Sequence, residues 1–322
     1  MLRDEIITVF GGSGFIGRHV VRALARAGYR VRVASRRPHL AQDLRVMGVV
    51  GQVQLVQANL RVAASVDRAV EGASGVVNLV GVLSESGRQT FSRLHAQGAR
   101  TVARAAAAAG IERLVHVSAI GADPDSPSRY GRTKAEGERL VREAQPAATI
   151  LRPSIVFGPG DSFFNRFASM ARWVPALPLF GGGKTRFQPV FAGDVGKAVL
   201  TAFESEAARG QTYELGGPGT YSFAELMRYI LDTIDRPRFL MPLPWFAGSL
   251  VAMMSELAAV LPFVEPVLTR DQLVQLKRDN VVADGAKTLA DLGIEPETID
   301  AIVPSYLVRY RRHGQFHERQ AS

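Results

Sequence analysis

A glycine-rich turn near the start of the chain is the feature that most restricts its fold. Residues 11–17 read Gly-Gly-Ser-Gly-Phe-Ile-Gly and lie between an apolar run, Ile6–Phe10, and a helical pattern from Phe15 to about Ala27. Glycines at this spacing allow a tight turn and let a pyrophosphate approach the backbone, while the helix N-terminus supplies aligned N–H donors. The pattern therefore predicts a dinucleotide site at the start of a βαβ series.

Alternation of strand and helix patterns continues through the first half of the chain. Further strands are predicted at Arg30–Ala34, Val53–Gln57, Val76–Val80, Leu114–Val117 and Thr149–Leu151, with helical patterns around 65–71 and 89–109. This alternation is typical of a parallel sheet covered by helices on both faces. We therefore predict an α/β fold, a Rossmann-type doubly wound parallel sheet with a smaller mixed C-terminal domain.

The composition changes after residue 152, where Pro and Gly become frequent and indicate loops and short elements. A length of 322 residues also suits two domains. We predict that residues 1–152 form an NADP(H)-binding Rossmann domain, to which a later segment at about 185–205 returns. Residues 153–322 are then a smaller, mostly helical domain for docking or for a substrate.

The residues after the second predicted strand indicate which cofactor is bound. An NAD site usually has an Asp or Glu there to bind the ribose 2′-hydroxyl, whereas this chain has Ser35, Arg36 and Arg37. Guanidinium groups suit a 2′-phosphate, so NADPH is the predicted cofactor. The alternative is that both arginines are ordinary surface residues of a basic protein. After the third strand, Asn59 and Leu60 stand where an adenine-contacting pair is expected.

A YxxxK motif, Tyr130 to Lys134, follows the fifth predicted strand. Residues four apart share one face of a helix, so the Lys134 ammonium can lie near the Tyr130 phenol. We expect the ammonium to lower the pKa of the phenol and to bind the nicotinamide ribose. Tyr130 and Lys134 are the candidate catalytic residues, or vestiges of them, with Ser118 as a weaker third candidate.

With these motifs in place, the chain resembles the extended and atypical short-chain dehydrogenase/reductases. More narrowly, it resembles the dehydrogenase-like accessory subunit of respiratory complex I, the alpha-subcomplex subunit 9 family. The segments that carry the resemblance are Val77–Gly81, His116–Ser118, Ser128–Glu138, Arg152–Gly158, Asp161–Ala168, Gln188–Val190, Pro242–Pro244, Glu265–Asp271 and Leu289–Ile294. The predicted cofactor-binding residues are Gly11, Gly12, Ser13, Gly14, Phe15, Ile16, Arg36, Arg37, Asn59, Leu60, Val80, Gly81, Ser118, Tyr130, Lys134, Pro153 and Ile155.

One departure from the family pattern concerns catalysis. The family's catalytic Ser or Thr falls here on Ile120, which cannot hydrogen-bond a substrate. The resemblance therefore implies an NADPH-binding accessory subunit of the proton-pumping NADH:ubiquinone oxidoreductase, with a structural cofactor, where the hydrophilic and membrane arms meet near the quinone site. The alternative is an NADP-dependent reductase or epimerase, which the presence of both Tyr130 and Lys134 favours.

A segment at residues 239–264 has an unusual composition. From Phe239 to Ser255 it contains no charged residue, and Arg236, Arg238 and Arg270 flank it. Its prolines and Glu256 argue against a membrane-spanning helix. Two interpretations remain open: the segment is the core of the second domain, or it is an exposed apolar patch that docks at a membrane interface or on other complex I subunits.

Composition excludes several classes of function. The chain has no cysteine, which excludes disulfides and thiolate metal sites, and its six histidines do not form a zinc pattern, so no metal is expected. The net charge of +9 is spread along the chain, which argues against nucleic acid. The start of the sequence, which runs directly into the first predicted strand, leads us to expect no targeting segment. We expect a peripheral protein on the cytoplasmic face of a bacterial inner membrane, or on the matrix side of a mitochondrial one if a leader is removed.

Overall fold

A parallel sheet organises the first of two structural units in the computed structural model, which describes residues 2–258, 268–312 and 314. The first unit comprises Met1–Ser154, Ala192–Gly216 and Val282–Glu295, and the remaining residues form the second unit. Seven strands build the sheet of the first unit: β1 (Ile6–Phe10), β2 (Arg30–Ser35), β3 (Val53–Gln57), β4 (Gly75–Asn78), β5 (Leu114–Val117), β6 (Thr149–Pro153) and, from later in the chain, β11 (Thr212–Leu215).

The strand order is β3-β2-β1-β4-β5-β6-β11, and every neighbouring pair is parallel. The helices of this unit are α1 (Phe15–Arg26), α2 (Ala63–Val70), α3 (Ala99–Ala108), α4 (Arg129–Ala144) and α6 (Ala192–Glu204), and a π-helical segment, Ser92–Gly98, precedes α3. Strand order reverses between β1 and β4, the place where doubly wound sheets bind ligands at their carboxyl edge.

The predicted fold class is confirmed, because the sheet is parallel, doubly wound and flanked by helices. Six of its strands were predicted with bounds that differ by two residues or fewer. The seventh, β11, was missed. It is four residues long and follows a region where the sequence shows only turns and short elements, so no helix–strand alternation marks it. Two later segments belong to the first unit, Ala192–Gly216 and Val282–Glu295, whereas the sequence indicated one at about 185–205.

The second unit consists of short strand pairs and helices. Its strands are β7 (Val156–Phe157), β8 (Ala176–Phe180), β9 (Arg186–Phe187), β10 (Val190–Phe191), β12 (Tyr221–Ser222) and β13 (Phe239–Leu243). They pair as β7 with β10, β9 with β12 and β8 with β13. Its helices are α5 (Phe164–Trp173), α7 (Phe223–Thr233), α8 (Trp245–Ala258), α9 (Arg270–Gln275) and α10 (Ile299–Leu307).

Helices α5, α7 and α10 enclose the core of the second unit, which is rich in phenylalanine. The sequence of α7 shows why this helix forms. Ser222 accepts a hydrogen bond from the Glu225 amide while the Glu225 carboxylate accepts one from the Ser222 amide, a capping box that satisfies two backbone donors. Among the described residues, no helix combines the length and apolar character needed to cross a membrane.

Candidate dinucleotide-binding site

The glycine-rich turn between β1 and α1 is tightly packed. Gly11 has a φ of +79°, a conformation that L side chains rarely adopt, and a Cβ there would stand 3.1 Å from the Leu79 carbonyl carbon. A Cβ on Gly17 would lie 2.3 Å from the Gly11 carbonyl oxygen, which is closer than real atoms approach. Gly14 is different, because its Cβ would meet only the Gly11 oxygen, at 3.3 Å. Gly11 is therefore required by its backbone conformation and Gly17 by packing.

The N-terminus of α1 is arranged to receive an anion. Gly14 is the N-cap, no side chain caps the helix, and its first turn contains no acidic residue. The Gly14 amide closes the turn by donating to the Gly11 carbonyl at 3.0 Å. Helix N-termini of this kind bind phosphate through backbone N–H groups and the helix dipole. The half-buried Phe15 and Ile16 follow in the same first turn.

The end of β2 brings hydroxyl and guanidinium groups to the same edge. The hydroxyls of Ser13 and Ser35 lie 3.3 Å apart, and the Arg37 amide donates to the Ser35 hydroxyl at 3.4 Å. The side chains of Arg36 and Arg37 are exposed. Within the described part of the chain, neither side chain forms an ion pair. Hydroxyl and guanidinium donors therefore stand at the strand end, where the sequence analysis predicted the contact with a 2′-phosphate.

The remaining predicted cofactor-binding residues differ in their surroundings. The Asn59 side-chain oxygen accepts hydrogen bonds from the Arg61 amide and Nε, and Leu60 is buried in the core of the first unit. Val80 and Gly81 follow β4 beside the glycine turn, where the Val80 amide donates to the Asn78 side chain. Pro153 ends β6, and its carbonyl accepts the Ile120 amide at 3.0 Å. Ile155 belongs to the second unit.

Lys134 is the most enclosed cation of the site. Its residue is only 5% exposed, and its Nζ donates to the Val117 carbonyl at the end of β5 over 3.4 Å. A Cβ on Gly81 would come within 3.2 Å of this Nζ, so glycine leaves room for the ammonium. Burial lowers the pKa of Lys134 to about 8, while the nearby Glu138 opposes that shift. An ammonium held here can bind a ribose hydroxyl.

Tyr130 does not behave as the motif predicted. The Lys134 ammonium lies 5.9 Å from the centre of the Tyr130 ring, so the two residues do share one face of α4. The expectation that Lys134 lowers the phenol pKa is wrong, because burial raises the pKa of Tyr130 to about 12. A phenol with such a pKa is almost entirely protonated at neutral pH and is a poor general base.

Two buried histidines that the sequence analysis did not identify stand beside Lys134. His95 lies in the π-helical segment, where its Nε2 accepts from the Val82 amide at 3.1 Å and its Nδ1 is 3.2 Å from the Thr133 hydroxyl. Because Nε2 accepts, the neutral ring carries its hydrogen on Nδ1. Burial, together with Lys134, lowers the pKa of His95 to about 3. His116 lies in one of the resemblance segments, His116–Ser118, whereas no signal in the sequence pointed to His95.

His116, on β5, faces the same region. Its Nδ1 is 3.2 Å from the Asn78 amide nitrogen, so the ring accepts there and carries its hydrogen on Nε2. That Nε2 and the Ser118 hydroxyl are buried and have no hydrogen-bond partner among the described residues. Buried donors without partners are rare in proteins and often mark functional sites. Burial, followed by the Lys134 charge, lowers the pKa of His116 to about 3.

A buried ion-pair chain fixes α4 against the sheet. Arg152 on β6 donates to both oxygens of Glu138, at 2.9 and 2.7 Å, and its third contact is Glu214 on β11, at 3.4 Å. Glu138 lies one helical turn after Lys134, so the same carboxylate also faces the ammonium. The two hydrogen bonds from Arg152 hold Glu138 in place. Because Glu138 and Lys134 lie on the same helix, these bonds also help to position Lys134.

Comparison with known proteins identifies the family. The sequence profile of the NAD dependent epimerase/dehydratase family matches residues 7–216. The chain belongs to this family. The predicted membership of the short-chain dehydrogenase/reductases is therefore confirmed.

The narrower resemblance is confirmed as well. The chain is 36% identical over 310 residues to the mouse (Mus musculus) protein named NADH dehydrogenase [ubiquinone] 1 alpha subcomplex subunit 9, mitochondrial, which covers 96% of this chain and 81% of that one. It is also 36% identical over 174 residues to a ceramide reductase of Caulobacter vibrioides, covering 54% of this chain and 53% of that one. An Escherichia coli NADPH-dependent quinone oxidoreductase, solved with NADPH, has a TM-score of 0.73 at 20% identity, covers 94% of this chain and 99% of that one, and supports the fold alone.

Ile120, where the sequence analysis expected the catalytic Ser or Thr of the family, is 9% exposed. Its backbone amide bonds the Pro153 carbonyl, so the residue is held in place by the sheet edge. An isoleucine side chain can neither donate to nor accept from a substrate. Ser118 stands two residues earlier, with a buried hydroxyl that has no partner among the described residues.

The uncharged segment lies beyond the match to the epimerase family, in the second unit. Only part of residues 239–264 can be described, because 259–264 fall outside the described residues. Helix α8 packs through Trp245, whose ring would contact a Cβ on Gly181, and through Gly248, which faces Phe180 and Leu273. Its other face is apolar and exposed, and consists of Phe246, Leu250, Val251, Met253, Met254 and Leu257. For the described part of residues 239–264, the interpretation as core fits the packed face of α8 and is wrong for its exposed face.

Proposed function

We propose that this chain is an NADPH-binding accessory subunit of a proton-pumping NADH:ubiquinone oxidoreductase, complex I. The observation that carries the proposal is the similarity to a protein named as a subunit of that enzyme, at 36% identity over 96% of the chain. A match of this extent includes the second unit as well as the nucleotide-binding fold. Association with the other subunits of the complex is therefore the function that the sequence and the site support best.

NADPH, in preference to NADH, is supported by the edge of β2. Arg36 and Arg37 are exposed beside Ser35, and no Asp or Glu stands at the strand end to bind a ribose 2′-hydroxyl. The turn at Gly11–Gly17 and the N-terminus of α1 would hold the pyrophosphate, and Lys134 would bind the nicotinamide ribose. When bound, the nicotinamide supplies hydride chemistry, and the chain supplies binding and orientation.

A structural cofactor is favoured over a reacting one. Ile120 stands where the family pattern expects the hydroxyl that positions a substrate, and burial raises the pKa of Tyr130 to about 12, which makes the phenol a weaker proton donor than an exposed one. A ligand that binds only the folded state stabilises it by about 4 kcal/mol when its free concentration is roughly 1,000 times its dissociation constant. NADPH bound in this way would hold the subunit folded without being oxidised.

A membrane-proximal position, near the quinone region where the two arms of the complex meet, is supported by α8. Its exposed face carries six large apolar side chains. Single apolar residues are common on protein surfaces, but a contiguous group of this size usually marks an interaction site. Such a face suits a membrane interface or the apolar surface of another subunit. We accordingly propose a peripheral location on the cytoplasmic face of a bacterial inner membrane, or on the matrix face of a mitochondrial one.

The second candidate is an NADP-dependent reductase or epimerase. Two observations favour this second candidate. Tyr130 and Lys134 are both present on α4, and the similarity to a ceramide reductase covers 54% of the chain. A reducible carbonyl of a lipid-like substrate is the chemistry that this alternative predicts. It differs from the first candidate by requiring turnover of NADPH.

Purification of the tagged chain from membranes of its own organism separates the two candidates. We expect other complex I subunits to copurify, and mass spectrometry to find NADPH in near-stoichiometric amount.

A matched variant, Arg36→Glu with Arg37→Glu, should lose about 100-fold in NADPH affinity while NADH affinity changes little, because charge-assisted bonds to phosphate contribute about 1.5–3 kcal/mol each. Purification of the chain alone, with NADPH consumed on addition of a carbonyl substrate, would favour the reductase.

A further inference from the structure

A group of arginines in the second unit lies beside two exposed aromatic rings, outside the dinucleotide site. The arginine cluster consists of Arg172, Arg236, Arg238 and Arg312. Trp173 and Phe239, each 81% exposed, adjoin it in the sequence. Strand pairing brings the two parts together, since the Phe239 amide donates to the Pro175 carbonyl at 3.2 Å.

Two of the four arginines are held by backbone carbonyls, and none of the ion pairs of the described residues joins the cluster to a carboxylate. Arg236 Nε donates to the Tyr310 carbonyl, and Arg238 Nε donates to the Ala171 carbonyl at the end of α5, both at 2.8 Å. Arg172 lies 5.8 Å from the centre of the Trp173 ring. Among the ion pairs of the described residues, none includes a member of the cluster. The guanidinium groups of Arg236 and Arg238 are therefore oriented by their Nε bonds, while most of their terminal N–H donors stay available.

The charges in the cluster are close enough to act on one another. Burial, followed by the charges of Arg238, Arg172 and Arg312, lowers the pKa of Arg236. Like charges kept this close without an internal counter-ion are stabilised by an external polyanion. By contrast Arg270, which the sequence grouped with Arg236 and Arg238, is paired with Glu256 at 2.7 Å and does not belong to the cluster.

We propose that the arginine cluster binds the phosphate groups of anionic phospholipids at a membrane surface, with Trp173 and Phe239 lying at the level of the headgroups. Arginine forks match phosphate geometry, and exposed aromatic rings beside cations are typical of a membrane interface. Arginines and exposed aromatic rings are also enriched at protein interfaces, so an acidic protein surface is the competing partner that the experiment separates from a membrane. The inference rests on the proposed membrane-proximal location, and not on the assignment to complex I.

Cosedimentation of the full chain with vesicles tests the proposal. We expect binding to phosphatidylcholine vesicles that contain phosphatidylglycerol and none to phosphatidylcholine alone. Arg172→Gln with Arg312→Gln should weaken binding roughly fivefold for each arginine removed. Neither of these side chains makes a backbone bond of the kind that anchors Arg236 and Arg238. An unchanged melting temperature then shows that the variant is folded.

The matched control is Arg100→Gln with Arg104→Gln, which removes the same charge from the exposed side of α3 in the first unit. Equal weakening in both double variants would mean that only net charge matters and would overturn the proposal. Absence of vesicle binding would overturn it too. If the cluster variant binds vesicles normally but no longer copurifies with complex I, an acidic protein surface is the partner.

Fluorescence gives a second readout, because the chain has two tryptophans, Trp173 and Trp245. Trp245→Phe leaves Trp173 as the reporter, and we expect its emission to shift to the blue on phosphatidylglycerol vesicles. An unshifted spectrum in a vesicle-bound sample would overturn the placement of Trp173 at the headgroups. Copurification with complex I in the absence of vesicle binding would leave the proposed function standing and reject only this inference.

Discussion

The glycine turn of the first unit and helix α8 of the second unit show opposite relations between a segment and its surroundings. At the turn, a Cβ on Gly17 would meet backbone at 2.3 Å, so the contacts within the chain explain the residue. On α8, Gly248 is similarly restricted, with Phe180 at 2.9 Å, but only on one face of the helix. The opposite face has large apolar side chains in solvent, and nothing in the described chain covers them.

The difference separates two reasons for a residue's identity. A side chain that is confined on all sides is there for the stability of the fold or for the approach of a ligand. An exposed apolar face costs solubility and contributes nothing to folding, so its reason must lie outside the chain. Substitutions should therefore affect stability at the turn and on the packed face of α8, and association on the open face.

The largest expected effect is at Gly17. We expect Gly17→Ala to destabilise the protein by about 4 kcal/mol or more, because the added methyl group meets backbone that cannot move aside. Gly14→Ala is the control: its Cβ would meet one oxygen at 3.3 Å, and its φ of −78° is ordinary, so the loss should stay below about 1 kcal/mol. Urea denaturation of both variants measures this.

Gly14→Ala should nevertheless weaken NADPH binding, since a methyl group at the N-cap stands where the pyrophosphate would approach the backbone. Similar unfolding free energies for the two variants would contradict the account of the turn. If Gly14→Ala retains NADPH as tightly as the natural chain does, the phosphate is bound elsewhere.

The turn could be predicted from the sequence because its information is local. Gly11–Gly17, the flanking strand and the helix start are contiguous, and the first six strands follow a regular alternation. The surroundings of Lys134 could not be predicted, because Val117, Gly81 and His95 come from three distant segments. Spacing placed Lys134 near Tyr130 correctly, but a pKa depends on burial, which spacing does not report.

The orientation of α8 was unpredictable for a different reason. Its packed residues Trp245, Gly248 and Ala252 and most of its exposed residues are small or apolar, and Glu256 near its end is its only charged residue. A helix of this composition is normally a buried one, and the sequence contains no polar stripe to show which face meets solvent. Only the packing against Phe180 and Leu273 decides the matter.

Two adjacent aromatic residues of α8 provide the next largest effect. Trp245→Ser should destabilise the second unit by about 2–3 kcal/mol, because the half-buried ring packs on Gly181. Phe246→Ser should change stability by less than about 0.5 kcal/mol, since the residue is 78% exposed. Thermal denaturation of the isolated chain measures both changes in stability, and copurification with complex I subunits measures association.

We expect Phe246→Ser to be the variant that reduces association while its melting temperature is unchanged. A fall in melting temperature for Phe246→Ser, with association intact, would show that the open face of α8 is covered by the chain itself. The comparison between turn and helix would then fail.

Acid should destabilise the protein through the buried histidines. The pKa of His116 is about 3 in the folded chain and 6.5 in the unfolded one. Below pH 6.5 the unfolded state therefore binds more protons than the folded state, and the free energy of unfolding decreases as the pH is lowered. The contribution approaches about 1.4 kcal/mol per pH unit and is fully present above pH 6.5. His95 acts in the same direction.

His116→Asn should reduce this acid sensitivity, and Asn keeps an oxygen that can accept from Asn78 as Nδ1 does. His39→Asn is the control, because His39 is exposed on the surface of the first unit. Unfolding free energies between pH 6.5 and about 5 provide the measurement. Parallel pH profiles for His116→Asn and the natural chain would mean that His116 is protonated in the folded state.

The smallest effect is expected at Tyr130. Tyr130→Phe keeps the ring contacts with Phe91 and His95, whose centres lie 5.8 and 5.2 Å away, and removes only the hydroxyl. Stability should change by about 1 kcal/mol or less, and NADPH retention and copurification should be unchanged if the phenol does no chemistry. Lys134→Met is the contrasting variant, since it removes an ammonium that the cofactor ribose would contact, and we expect it to lower NADPH retention. A carbonyl-reducing activity that Tyr130→Phe abolishes would instead show that the phenol is a general acid. The chain would then be a reductase, despite Ile120.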